Sequence, residues 1–575
     1  MQLVDLLLEN RGIFKPEEKE KFLNPSYEGD LHDPYLMKDM ERACVRIFEA
    51  IQAKEKIVIY SDYDCDGIPG AVILHDLFKK IGYGNFENYI PDRHKEGFGL
   101  HQPAIDEFIK SETKLLITVD LGITDVEEVA QAESSGINVI ISDHHITPEI
   151  LPPAYAILNP KQAGDEYPFK ELCGAGVAFK LVQAFIKKYG EYFEKTSPST
   201  GSTSSPQAAP RTTRLTAGWE KWLLDMAALA TLSDQVPLLG ENRALAFYGL
   251  KVLRKNRRLG LEKLFSKNRV DLSNLTEDDI TFTLAPRLNA ASRMESPRIA
   301  FDLVTTNDEN KAEELSERLS EINNQRKILV AGIMKEVKKN LAKREEKSLI
   351  VIGNPAWRVG VLGLVASKIA DEYERPCFVW GSAGARPGLA PAFKGSCRSD
   401  GSVNVVGLMR ELEADTLLDY GGHDMAGGFS VSQSQVYFLE ANLLAACQKI
   451  GQTDGSTMLT TSQRRCEFDA KLSLKDVTME NYEAIQKLAP FGTGNPKPVF
   501  LFEGVEVSGI KKFGKNNEHL EIVLEEKVKA IQFFKNEKSF TKPIAVGEKI
   551  NLLANLEKNV FRNKTELRLK IIDIL

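Results

Sequence analysis

Three apolar runs in this chain each stop at side chains able to hold a cation. KIVIYSDYDCDG reaches Asp62, Asp64 and Asp66, LLITVD reaches Asp120, and INVIISDHH reaches Asp143, His144 and His145. A fourth apolar stretch, LLDMAALATLSD, closes at Asp234. Carboxylates packed together repel and shift one another's pKa unless cations neutralise them. Oxygen ligands with one imidazole suit Mg2+ or Mn2+, and the imidazole tips the choice towards Mn2+. Two such ions activate water and stabilise an in-line displacement at phosphorus. A lone Asp-x-Asp serves as readily as a helix cap or a solvated loop. Acidic ends on three successive runs point to phosphoester chemistry.

The elements around these residues must bring them together. The β-branched run before Asp62 is followed by GAVILHDLFKKIG, which reads as a helix stopped at Gly82. The second run is followed by a helix rich in Glu and Ala, and the third run comes next. Strands alternating with helices at this spacing imply a parallel α/β sheet. In such sheets ligands bind beyond the carboxyl ends of the strands, so the acidic ends converge there.

With 575 residues, the chain is long enough for about three to five domains. Its net charge of −7 excludes a wholly basic nucleic-acid packaging protein but leaves room for a local basic channel. The 7 Cys contain no CxxC pair, which argues against a Cys-rich zinc site and against a secreted disulfide scaffold. No run reaches the ~18 uncharged apolar residues of a membrane helix, and a cytoplasmic, reducing compartment is expected.

Residues 1–50 read as a helical segment with a Pro- and Asp-rich loop at 24–35, and residues 51–245 as the first α/β domain. Within that domain, 196–217 is a low-complexity insertion of Ser, Thr, Pro and Ala that offers no apolar face and is expected to be disordered. Residues 246–346 form a helical connector, in which 308–346 keeps a helical apolar spacing. The alternative is two helices with a break near Asn323-Asn324. A second α/β domain spans 347–455. From 462 to 575 the period becomes two, as in a small β-barrel.

DYDCDG, TVDLGI and SDHH resemble the successive signatures of the DHH phosphoesterase superfamily. IPDRHKEGFGL, LDMAALATLSDQVPLLGENR and APRLNAASRM resemble further blocks of its RecJ-type single-stranded-DNA-specific exonucleases. WRVGVLGLVASKIADEYERP, KGSCRSDGSVNVVGLM and GGHDMAGGFS resemble the attached DHHA1 domain, and PFGTGNPKPVF resembles the entry to an OB-fold. The resemblance covers nearly the whole chain. It implies a parallel-sheet DHH domain and a second α/β DHHA1 domain joined by a long helix, with a C-terminal OB-fold barrel. It also implies 5′-to-3′ exonucleolytic degradation of single-stranded DNA in recombination and repair.

By the same resemblance, Asp64, Asp66, Asp120, His144 and Asp234 hold two divalent ions, Mn2+ or Mg2+, with Asp120 between them. Asp62 lies beside the site, and His145 contacts the scissile phosphate or assists proton transfer. Ser396, Arg398 and Ser399 form part of a pocket for the 5′ end, and Gly421-Gly422-His423 sits opposite the metals. Arg93, Glu96 and Gly97 lie near the cleft. Arg287, Asn289 and Arg293 combine guanidinium groups with small residues, a composition suited to bidentate phosphate contacts. Each of these Arg residues alone would serve equally as a surface salt bridge.

Tyr60 and Leu121 depart from the family pattern, which has His and Asn there. A phenol is a poor ligand near neutral pH, its pKa being ~10. One metal then has a ligand fewer, or Asp62 takes its place. Lys511, Lys512 and Lys515 in a loop with Phe533-Phe534 on a strand suit single-strand contacts, although Lys-rich tips are more often just solvated. The expected partners are single-stranded DNA, then a single-strand-binding protein and a helicase, with the chain itself a monomer. Two other readings stay open: a phosphodiesterase for short oligonucleotides or cyclic dinucleotides, and a catalytically weakened DNA-binding scaffold.

Overall fold

The computed structural model describes residues 3–196, 215, 218–382, 392–453, 468–514, 519–533, 540, 544–561 and 564–575. Nearly all of the 196–217 insertion lies outside these residues, as do Lys515 and Phe534.

The first sheet is formed by β1 (Lys56–Ser61), β2 (Phe86–Tyr89), β3 (Thr113–Val119), β4 (Asn138–Ser142) and β5 (Ala156–Leu158), in the order β2-β1-β3-β4-β5. Every neighbouring pair is parallel. Alternate side chains of β1 enter different cores. Ile57 and Ile59 pack with the helices Gly67–Lys80 and Gly174–Thr196, whereas Val58 and Tyr60 pack with Ile105 and Phe108. A sheet buried on both faces needs the continuous apolar run that β1 carries. The expected stop at Gly82 is present, with φ +75° just beyond the helix.

The second sheet is mixed. It comprises β6 (Ile350–Asn354), β7 (Cys377–Ser382), β8 (Ala392–Arg398), β9 (Asp419–His423) and β10 (Ala426–Ser432), in the order β6-β7-β8-β10-β9. Only β6–β7 is parallel. It joins the first lobe through one unbroken helix, Glu309–Leu341, of 33 residues, which is about 50 Å at ~1.5 Å per residue. Asp308 caps its start by accepting the Lys311 N–H at 2.8 Å. Leu319 packs in the first lobe, and Val330, Ile333 and Val337 pack in the second. No break occurs at Asn323, which is fully buried in mid-helix.

The third sheet contains β11 (Ala470–Lys471), β12 (Phe500–Phe513), β13 (His519–Leu524), β14 (Lys529–Phe533), β15 (Lys549–Phe561) and β16 (Lys564–Ile574). The order β12-β13-β14-β16-β15 closes on itself through β12–β15 pairing, giving a five-stranded barrel. Register shifts between Phe502 and Val505 and between Val507 and Gly509 let the long β12 bend round it. Lys511 and Lys512 therefore lie on a strand rather than in the expected loop. The first helix, Leu3–Asn10, buries Leu7 and Leu8 in the barrel core, while Met40–Gln52 packs on the first sheet.

Candidate metal centre and adjoining cleft

The carboxyl ends of β1, β3 and β4 are held level by the backbone. Asp62 N–H donates to Val119 O, Asp120 N–H to Ser142 O and Asp143 N–H to Leu158 O. Asp120 takes φ +62°, a left-handed conformation that Asp tolerates better than most residues. The N-terminus of helix Gly174–Thr196 meets this edge. Gly174 and Ala175 N–H groups each donate to Asp66 at 2.7 Å. A Cβ on Gly174 would lie 2.6 Å from Asp120 Cβ, so only glycine lets the helix approach so closely.

Three overlapping groups result, each with ligand atoms within 4.8 Å of one another: Asp62, Asp64 and Asp120; Asp66, His144 and Asp234; and Asp120, His144 and His145. His144 Nε2 lies 3.2 Å from Asp120 Oδ1, 3.6 Å from Asp66 and 3.8 Å from Asp234. The sequence-predicted residues of the metal set are thus brought to one place, with Asp62 among them.

The electrostatics fit a divalent cation. Burial, then Asp64, pushes the Asp66 carboxyl up to about 6, and burial, then Asp66 and Asp64, pushes Asp234 up to about 9. Burial and neighbouring carboxylates also raise Asp62 and Asp120 well above the usual range. His144 is pushed down to about 3, first by burial and then by His145, so its imidazole is neutral and can act as a ligand. Buried Asp62 Oδ1 and Asp120 Oδ1 have no hydrogen-bond donor. Asp120 Oδ1 and His144 Nε2 lie 3.2 Å apart, close enough for one cation to take both as ligands.

His145 differs from His144. Its Nδ1 lies 2.7 Å from Asp143 Oδ1. Burial would lower its pKa, but Asp143, followed by Asp66 and Asp234, raises it to about 9. Burial likewise works to raise Asp143, yet the His145 hydrogen bond holds that carboxyl below its usual range. Asp143 also accepts N–H groups from His144 and Ile123. It orients the loop and, by its hydrogen bond, raises His145, while burial and His145 lower His144.

Against this centre lies a cleft of about 590 Å³ between the lobes. Arg93, Arg293, Arg358, Lys394 and Arg398 line it, with no carboxylate among its described lining residues. Tyr63, between Asp62 and Asp64, forms part of the wall, and the Arg93 guanidinium lies 4.8 Å from its ring centroid. Burial lowers Arg398, and burial followed by Arg93 lowers Arg293 to about 9. Ser396 lines the cleft beside Arg398. His423 faces the centre from the second lobe, its ring parallel to that of His145.

Other singled-out residues make contacts within the protein. Glu96 accepts Tyr89 O–H at 2.5 Å and Asp92 N–H at 2.6 Å, fixing its own loop. Asn289 accepts Cys65 N–H and so braces the acidic loop from behind. Ser399 Oγ accepts N–H groups from Gly401 and Val403. Arg287 donates to Thr283 O at 2.5 Å and is absent from the cleft wall. Tyr60 is fully buried, stacks on Tyr89 and donates to Gly99 O at 3.1 Å. Leu121 is core, and its carbonyl accepts the Thr118 hydroxyl. Arg358 and Lys394 fall inside the quoted WRVGVLGLVASKIADEYERP and KGSCRSDGSVNVVGLM blocks but were not singled out as site residues; the cleft wall adds them.

Comparison with known proteins agrees with this architecture. Residues 56–201 match the DHH family N-terminal domain, 346–452 the DHHA1 domain and 468–573 the RecJ OB domain. The single-stranded-DNA-specific exonuclease RecJ of Bacillus subtilis is 34% identical over 99% of this chain and 67% of its own. That of Haemophilus influenzae is 31% identical over 99% and 95%. RecJ of Thermus thermophilus, in complex with Mn2+, is similar with a TM-score of 0.76 at 25% identity, over 100% of this chain and 76% of that one. An exonuclease RecJ bound to manganese gives 0.58 at 29% identity, over 72% and 95%. The three matched domains and the relatives' coverage place the chain in the RecJ family of single-stranded-DNA-specific exonucleases.

Proposed function

We propose that this chain is a metal-dependent exonuclease that shortens single-stranded DNA from its 5′ end, in recombination and repair. The observation that carries the reading is the junction of two sites of opposite sign. A cluster of carboxylates and imidazoles shares the Tyr63 wall with a cationic cleft that has no carboxylate lining among its described residues. The first suits cations and the second an anionic strand end.

Asp64, Asp66, Asp120, His144 and Asp234, with Asp62 beside them, would hold two ions, Mn2+ or Mg2+. When bound, these supply Lewis-acid activation of water and charge stabilisation at phosphorus. The protein's own groups do the rest. Arg93, Arg293, Arg358 and Arg398 hold a terminal phosphate by charge-assisted hydrogen bonds. Tyr63, at the junction, fixes how far the scissile phosphate lies from that end. His145, hydrogen-bonded to Asp143, donates to the scissile phosphate and supplies a proton to the departing oxygen. Hydrolysis adds a water oxygen to phosphorus and breaks one phosphorus–oxygen bond.

The test is digestion of single strands labelled at either end, with Mn2+ or Mg2+. The proposal expects immediate release of a 5′ label in a short product and late loss of a 3′ label. Cleavage confined to dinucleotides or cyclic dinucleotides would overturn it in favour of a small-molecule phosphodiesterase.

A further inference from the structure

We infer that His94, Gly360 and the C-terminal turn of helix Ala285–Met294 form a joint that sets where the strand end stands relative to the metal centre. The inference rests on the nuclease reading above and adds positioning residues to it.

Three segments meet at this turn. Its carbonyls have no partner within the helix. His94, from the first lobe, places Nε2 3.1 Å from Arg293 O, which requires the Nε2–H tautomer. Arg358, from the second lobe, donates Nη2 to Met294 O at 3.3 Å. Arg293 returns the contact by donating Nη1 to Gly360 O at 3.3 Å. The fit leaves no slack. A Cβ on Gly360 would lie 2.2 Å from Arg293 O and 2.8 Å from His94 Cε1. The residues on either side of the joint do the binding. Arg93 precedes His94 and covers Tyr63 beside the carboxylates, while Arg358 and Gly363 flank Gly360 in the cleft wall. Asp92 accepts His94 N–H at 2.9 Å, which ties the joint to the Arg93 loop. The cationic half of the cleft therefore cannot shift against the carboxylate half without breaking these contacts. Proximity effects make such spacing consequential, because a misplacement of ~1 Å can cost on the order of 10²-fold in rate.

The test uses the full chain and two variants. Gly360→Ala wedges the joint open, and His94→Ala removes its donor without adding bulk. Single-turnover digestion of 5′-phosphorylated and 5′-hydroxyl strands with Mn2+ reads product length and end preference, and calorimetry reads Mn2+ binding. The parent protein should release one product length. Both variants should release mixed lengths and lose most of the preference for a 5′-phosphate, with Mn2+ binding unchanged. If Gly360→Ala fails to fold, His94→Ala decides alone. One product length and the parent's end preference in a folded variant would overturn the inference. So would mixed lengths accompanied by weakened Mn2+ binding, since the damage would then be general. No release of nucleotides by the parent would instead overturn the nuclease reading.

Discussion

The His145 ring, from the first lobe, lies 5° from parallel to the His423 ring, from the second, with centroids 6.3 Å apart. The two differ in charge. Asp143 raises His145 to about 9, whereas burial and then the His145 charge lower His423. A cation beside the metal centre thus faces a neutral ring across the cleft. His145→Ala should lower kcat by roughly 10²–10⁴-fold, the usual cost of removing a general acid. His423→Ala should cost about tenfold, as for one lost hydrogen bond to a charged group. His423→Ala should leave the Mn2+ titration in place. Equal losses in the two variants would show that the rings act as one unit.

The raised carboxyls make a prediction about the metal-free protein. Asp234 and His145 are both pushed up to about 9 in the folded chain, above their usual values of ~3.9 and ~6.5. Between pH ~6.5 and ~9 the folded state therefore holds protons that the unfolded chain has released. Stability falls as pH rises through that window. Thermal unfolding in chelator should show a lower Tm at pH 9 than at pH 6.5, and Mn2+ should flatten the difference. Asp120→Asn removes one of the crowded carboxyls, which folding otherwise requires to hold a proton. It should melt higher than the parent without metal, respond little to Mn2+ and lose hydrolysis. A metal-free Tm that rises with pH across the window would contradict the repulsion on which this rests.

Much of the centre was legible because each part is local. An apolar run ending in a carboxylate places that carboxylate at a strand end, and β1, β3 and β4 do so. What each oxygen then contacts is not local. Glu96 has the look of a cleft residue, yet both its oxygens are taken by Tyr89 and Asp92. Ser399 caps its own loop, and Asn289 braces Cys65. Arg358 and Lys394 sit in quoted motifs, yet no feature of the motif says which of its residues reach the cleft. Lys394, on β8 between β7 and β10, and Arg358, in the loop after β6, meet in one cleft because the long helix brings that sheet to the carboxylates. The barrel's alternating strands were readable, whereas the register that puts Phe513, His519 and Phe533 side by side was not.

Tyr60 stands where the family pattern has His, but its hydroxyl is committed to Gly99 O and its ring to Tyr89. Tyr60→Phe should therefore leave Mn2+ binding unchanged. It should cost about 1–3 kcal/mol of stability, the penalty for leaving a buried carbonyl without its donor. Calorimetry and denaturant unfolding measure the two effects. A weakened Mn2+ titration in a stable Tyr60→Phe protein would return the phenol to the metal centre.

Arg398 separates end recognition from chemistry. Its Nη1 donates to Cys397 O at 2.8 Å and lies 3.4 Å from Ser396 Oγ, and it forms no ion pair among the described residues. The guanidinium is kept in the cleft by burial on one side, with Gly363 leaving open the space beside Nη2. An arginine held this way has its charge available to a ligand. Losing a hydrogen bond to a charged group costs roughly 1.5–3 kcal/mol, or about 10–150-fold in affinity. Arg398→Ala should therefore weaken binding of 5′-phosphorylated strands by that factor and of 5′-hydroxyl strands far less. Turnover at saturating DNA should fall less than in His144→Ala, which removes a proposed metal ligand. Salt must be held fixed, because contacts along the phosphate backbone are screened and would mask the end effect. Equal weakening for both end types would make Arg398 a backbone contact, and Arg93 and Arg358 would then be the residues to test for the 5′ phosphate.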